Sequence, residues 1–231
     1  MNPQQTNTLF AAVRSGFLLI FSATIVSTLT QQFLDKKIGL ILRSTEGLTS
    51  MIWIWGFLSL LSALIFPLLL SLLTSYFLIQ SQEPRPVQFI EKHFELGLIE
   101  SLRSWGKSFL GFFVLVIPGF IYFFYYSLSP QIVSFSNKYQ SGEIDALAES
   151  EKYVKKNWFF YSVVTFVFYF VLPMIMTSVF DEYRLFSLHP GWALGCIALE
   201  TLLFICFQYL MINKLIDQLI QEKDYKYASY V

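Results

Sequence analysis

Charge is scarce in this sequence. Only 14% of its 231 residues are Asp, Glu, Lys or Arg, where a soluble domain carries about a quarter. With 55% hydrophobic residues beside so little charge, a water-soluble fold would expose too much apolar surface. Lipid is the expected solvent. Neither sign dominates: 16 basic residues stand against 16 acidic ones, which argues against nucleic acid as a partner. Cysteine is nearly absent. Cys196 and Cys206 fall in one apolar run and read as small apolar side chains, with no disulfide framework.

Catalytic punctuation is missing too. There is no nucleophile elbow, phosphate-binding glycine loop, HExxH or cysteine pair at metal spacing. The chain therefore reads as a non-enzyme with no cofactor and no metal. His189 shares a short link with Asp181 and Glu182 but without ligand spacing, and His93 between Glu91 and Glu95 fits a solvated helix face. The start, MNPQQTNTLF, lacks a basic leader and cleavage pattern, so the first apolar run is expected to stay. No tandem repeat or separate soluble domain is visible, and 1–231 reads as a single integral membrane domain.

What the chain has is long uncharged runs. They cover 15–34, 47–82, 108–137 and 157–180, and a fifth, 185–213, is broken only by Glu200. About 20 apolar residues cross the hydrocarbon core as a helix, so every run is long enough. The expected fold is all-α: a polytopic helical bundle with four full spans near 11–34, 51–80, 158–180 and 192–212. Pro67 and Pro173 fall inside two of these and should disturb them. The Ser and Thr residues of the first span are expected to return hydrogen bonds to its backbone. Between 35 and 50, the apolar patch Ile38–Leu42 reads as an interfacial turn.

Two further segments read as interfacial amphipathic helices. In 86–107, Ile90, Phe94, Leu98, Leu102 and Trp105 recur at helical spacing, with Glu91, Lys92, Glu95 and Glu100 largely off the stripe. In 143–156, Ile144, Leu147, Ala148 and Val154 share a face, continued by Trp158, while Asp145, Glu149, Lys152 and Lys156 share the other. Glu149 with Lys152, and Glu151 with Lys155, are spaced to pair. The tail should extend the last helix through Leu215, Ile216, Leu219 and Ile220, with Tyr225, Tyr227 and Tyr230 placed to reach headgroups.

Basic residues decide between two topologies. If 108–130 crosses once, Lys and Arg divide 10 to 6 between the two sides; if 108–137 enters and returns, they divide 12 to 4. The second split is the better one. It predicts a re-entrant or split segment broken at Pro118-Gly119, with both termini and both amphipathic helices on the cytoplasmic face. Such a break must be covered by neighbouring helices, because unpaired backbone groups are costly in lipid.

A pattern surrounds that break. Ile117-Pro118-Gly119 is followed by aromatic and apolar residues, then Ala146-Leu147-x-x-Ser150, then Lys155-x-Asn157-Trp158. This resembles the membrane domain of bacterial glycerophosphoryl diester phosphodiesterases and of related inner-membrane proteins that lack a catalytic domain. The resemblance implies a bacterial inner-membrane protein, with the Ala-Leu-x-x-Ser segment cytoplasmic. It implies no reaction for the domain itself.

The residue most open to function is Glu200, near the middle of the last span, because an ionisable group there is costly. A proton relay, a cation site or a polar substrate contact would each use it. A structural bond to a neighbouring Ser, Thr or Tyr, or a pair with Arg14, would also explain it. Gln208, eight residues on, falls near the same face and extends a polar track. Gly191 and Gly195 form a GxxxG at the head of that span. The expected role is that of a non-catalytic scaffold or accessory subunit of a transport or envelope assembly, with membrane lipids and other membrane subunits as partners. The alternative is a small transporter with a polar pathway around Glu200.

Overall fold

The computed structural model describes residues 9–43, 50–79 and 84–227. Among these every regular element is helical, and the only bridge is an isolated antiparallel pair between Ser136 and Tyr225. Four helical stretches are long and apolar enough to cross a membrane: α1 (Leu9–Arg43), α2 (Ser50–Leu78), the stretch Trp158–Phe180, and α10 (Pro190–Gln221). Their bounds contain all four expected spans, except that Ile79 is a turn and Gln80 lies outside the described residues.

Helix α1 carries its polar residues as expected. Ser15, Ser22, Thr24 and Thr30 donate to the carbonyls of Ala11, Leu18, Ile20 and Val26. The helix also runs on through Ile38–Leu42 to Arg43, so the expected interfacial turn there is corrected. No proline falls between Asp35 and Arg43 to stop it. At about 1.5 Å per residue its 35 residues reach roughly 50 Å, well beyond the ~30 Å hydrocarbon core.

Helix α3 (Pro86–Val114) is one continuous element of 29 residues, where a surface helix followed by a separate membrane segment was expected. Ile90, Phe94 and Leu98 of the expected stripe are half-buried against the core, while its Leu102 is exposed. Phe89, His93, Gly97, Glu100, Ser101, Ser108 and Gly111 are buried, while Leu96, Ile99, Leu102 and Phe109 are exposed. His93 is therefore no solvated-face residue; its Nδ1 lies 2.9 Å from the Phe89 carbonyl. The physical reason is contact distance. Small residues let α3 approach α2, as where Gly97 meets Leu68, and Leu96, Ile99, Leu102 and Phe109 are left outside.

The chain then folds back. Leu115 alone is extended (φ −160°, ψ 151°), and α4 (Val116–Tyr125) returns along α3. A Cβ on Gly111 would stand 2.9 Å from Gly119 Cα, and one on Gly119 would run into the Phe112 ring. The break therefore lies three residues before the expected Pro118-Gly119. Pro118 sits in the first turn of α4, where proline is tolerated, and Gly119 serves close approach.

The stretch Trp158–Phe180 is interrupted. Between α8 (Trp158–Phe166) and α9 (Leu172–Phe180) the residues Val167–Val171 form a π-helical turn, in which the Leu172 N–H reaches the Val167 carbonyl. Pro173 explains it: the ring clashes with the carbonyl of the preceding turn, and widening the turn relieves the clash.

At the end where α10 finishes, here the tail end, short elements interlock: α5 (Ser129–Phe135), α6 (Asn137–Gln140) and α7 (Ala146–Lys156). Asp224, 1% exposed, accepts from Ser136 Oγ at 2.6 Å and from the Lys138 N–H at 2.8 Å. Gln218 accepts from Tyr161 Oη at 2.8 Å and donates to the Tyr153 carbonyl at 3.1 Å. Both expected pairs on α7 are present, Lys152 with Glu149 and Lys155 with Glu151, each at 2.6 Å. Leu147 and Val154 face inward as expected, but Ala148 and Trp158 are exposed, and Ser150 and Tyr153 take their places. Leu215, Ile216 and Leu219 of the extended α10 are buried. Tyr230 lies outside the described residues.

Candidate functional site

Two partly open cavities meet among the helices. The first, about 200 Å³, lies between α2, α3, α4, α5 and α10, and its polar lining includes Ser71, Ser101, Gln131 and Gln208. The second, about 330 Å³, lies between α2, α9 and α10 and contains Arg184 and Glu200. Pro67, Tyr169, Phe204 and Phe207 belong to both linings, so they form the partition. Phe207 is packed by Phe168 at 5.2 Å and by Tyr169 at 5.4 Å between ring centres.

Backbone irregularity converges on this partition. Pro67 has no N–H for the Ala63 carbonyl, and both residues line the first cavity. Tyr169 belongs to the π-helical turn. Interrupted helices inside a membrane-length bundle are where polar backbone meets a cavity.

Glu200 pairs with Arg184, not with Arg14: Arg184 Nη2 lies 2.6 Å from Glu200 Oε1, with both side chains less than a third exposed. Arg184 is held in a short 3-10 turn, Glu182–Arg184, and its carbonyl accepts from Gln32 Nε2 at 2.8 Å. Helix α1 does pack beside α10, with Ile20 and Ile205 in one buried cluster. Arg14 nonetheless lies on the tail side of that level and Glu200 on the opposite, link side, a depth difference on the order of 15 Å. Arg14 is exposed on α1. Sequence reasoning missed Arg184 as the partner; the available signal was the brevity of the link joining α9 to α10.

Gln208 is buried and joins a polar contact across three helices. Its Oε1 accepts from Ser71 Oγ at 3.3 Å. The Ser71 hydroxyl also lies 3.2 Å from the Gln131 amide. The Gln131 Nε2 donates to that hydroxyl, whose single proton goes to Gln208. Neither Ser71 nor Gln131 stands out in the sequence, because each sits among ordinary apolar and Ser-rich neighbours.

The remaining sequence-selected positions do not join the cavities. Ser150 donates to the Tyr125 carbonyl at 2.7 Å and accepts from the Leu128 N–H at 3.2 Å. It thereby fixes the turn that follows α4 onto α7. Ala146 and Leu147 are fully buried beside it. Asn157 forms the junction between α7 and α8, its N–H reaching the Tyr153 and Val154 carbonyls. Pro118 and Gly119 belong to the α3–α4 fold-back. Around Gly191 and Gly195 an added Cβ would meet nothing within 4 Å, so this GxxxG makes no close helix contact. Among the described residues no cluster of three His, Cys, Asp or Glu side chains is placed to hold a metal.

Two titratable groups on the tail-end platform are shifted. Burial, then the hydrogen bond to Glu100, pushes the Tyr139 hydroxyl up to about 12. Burial would raise the Glu222 carboxyl, but the Lys152 ammonium and the Tyr153 hydroxyl outweigh it and hold the group below its usual range.

The fold and cavities define an all-helical bundle with four membrane-length helices around a partly polar interior. No family model, no curated protein and no solved structure matches the chain.

Proposed function

We propose that the chain is a multi-pass protein of a bacterial inner membrane that provides a passage for a small solute. The observation that carries this reading is the meeting of an uncharged, mostly apolar chamber that holds a few polar groups and a chamber holding the Arg184–Glu200 pair at one partition of aromatic and proline residues. In this reading both termini face the cytoplasm, and α3–α4 enters the membrane and returns. The 12-to-4 division of Lys and Arg supports that orientation. The resemblance around Ile117-Pro118-Gly119 supports the bacterial inner membrane. No catalytic step is assigned to the site.

Reconstituted protein tests the passage. Glu200→Gln should assemble normally and lose most of the wild-type solute or proton flux. Flux that is unchanged, or wild-type protein that carries none, overturns the reading. Cysteine labelling tests the orientation in a background without Cys196 and Cys206. A Cys at exposed Ser141 should react only from inside, and one at exposed Ser187 only from outside.

A second reading is favoured by the fold-back tip. Phe113, Val114, Leu115, Val116 and Ile117 are 61–87% exposed, a contiguous apolar patch of the kind that meets lipid or another membrane subunit. In that reading the chain is a scaffold or accessory subunit. One membrane protein at fixed stoichiometry in native preparations, lost on Phe113→Ser with Ile117→Ser, supports it.

A further inference from the structure

We infer that the first chamber takes a small neutral solute able both to donate and to accept hydrogen bonds, of the polyol or amide class. This rests on the passage reading above and names what passes.

The lining decides the class. Among the described residues no Asp, Glu, Lys, Arg or His lines the first chamber. A bare ion there would find no opposite charge to offset its lost hydration. An apolar solute fits no better, because it would leave polar groups unpaired. Gln208 is 3% exposed, and its oxygen is engaged by Ser71. Among the described residues nothing accepts from its Nε2, so a buried amide keeps donor capacity on the chamber side. Ser101, 7% exposed, adds a hydroxyl that can donate or accept. The Ala63 carbonyl, denied its i+4 N–H by Pro67, adds an acceptor.

Size and shape narrow it further. The chamber is about 200 Å³. It lies below the ~300–1,000 Å³ of sites for drug-sized ligands, so a solute of few heavy atoms fits. Trp105, Phe123, Tyr126 and Phe204 supply flat faces against which C–H groups pack while hydroxyl or amide groups reach Gln208 and Ser101. The adjoining chamber does not reverse this preference, since its Arg and Glu neutralise one another at 2.6 Å.

The test uses the full chain in proteoliposomes, read by stopped-flow light scattering under gradients of glycerol, urea or potassium chloride. Wild type should equilibrate glycerol and urea at least tenfold faster than protein-free vesicles and leave the salt rate unchanged. Gln208→Leu, close in volume but without donors, should lower the neutral-solute rates about tenfold, as expected for loss of a hydrogen bond in a site built to make it. Salt movement without glycerol or urea movement overturns the solute class while leaving a passage in place. No movement of any probe overturns the passage itself. An unchanged glycerol rate in Gln208→Leu overturns the assignment of the chamber. If that variant does not assemble, Ser101→Ala is read instead: a threefold or greater fall supports the site, and an unchanged rate overturns it.

Discussion

At the tail end, Asp224, Gln218 and Ser150 each join two neighbouring segments through buried hydrogen bonds. At the link end, the segment after α9 is tied by the Arg184–Glu200 pair and by one bond from Gln32. The side chains differ in the same way. In α5, six of seven residues are buried, whereas only 11% of the most apolar window of Trp158–Phe180 is buried. The tail end is built as proteins in water are, with apolar and polar groups together inside. The membrane-length region is built for an apolar surrounding, with large apolar residues on both its inner and outer faces and a few Ser, Thr and Gln residues inside. One chain thus follows two packing rules.

The strongest way to break this comparison is at Asp224. Asp224→Ala strips the Ser136 hydroxyl and the Lys138 N–H of a buried acceptor, and should cost about 3 kcal/mol. Thermal unfolding in detergent reads it. Adding Ser136→Ala to that background should cost much less than it does alone, because the two act as one unit. Full additivity would mean the platform is not a network.

A smaller loss, about 2 kcal/mol, is expected for Gly111→Ala, since the new Cβ would stand 2.9 Å from the Gly119 backbone. The tail-end platform should keep its protection from hydrogen exchange in this variant. Loss of protection there as well would show that the two regions do not behave separately.

Acid should reach the platform before the membrane-length region. Glu222 is held below its usual value, so it adds stability above the unfolded carboxylate value near 4.3. That contribution is lost as pH falls through the lower folded value. Lys152 is half exposed, so the effect should stay under about 1 kcal/mol. Glu222→Gln should flatten the acid limb of a stability–pH curve. The smallest expected effect is at Gly195→Ala, where an added Cβ meets nothing. Removing a helix glycine in open space should leave stability unchanged or raise it by up to about 1 kcal/mol.

The four long helices were legible because hydropathy and length alone define them. The pairs on α7 were legible because their spacing lies within one helix. The stripe on α3 was legible in part: Ile90, Phe94 and Leu98 do pack against the core, whereas Leu102 faces outward, because an apolar stripe need not mark the buried side where lipid surrounds the helix. Leu115 carries no breaker signal, and the conspicuous Pro118-Gly119 beside it drew the expected break three residues too far. Glu200 and Gln208 were visible as polar residues in an apolar run. Arg184, Ser71 and Gln131 were not, since their roles arise from three-dimensional proximity across helices.

The fold-back at Leu115 also has an electrical side. The negative end of one helix dipole and the positive end of the next, each worth about half a charge, lie one residue apart and largely cancel at a distance. The chemistry of the junction is equally economical. Leu115 N–H reaches the Gly111 carbonyl and Gly119 N–H reaches the Leu115 carbonyl. Of the first α4 residues, Pro118 brings no donor, which leaves only the N–H groups of Val116 and Ile117 to be met. The proline that looked like the agent of interruption instead makes an interruption elsewhere less costly to hold in an oily surrounding.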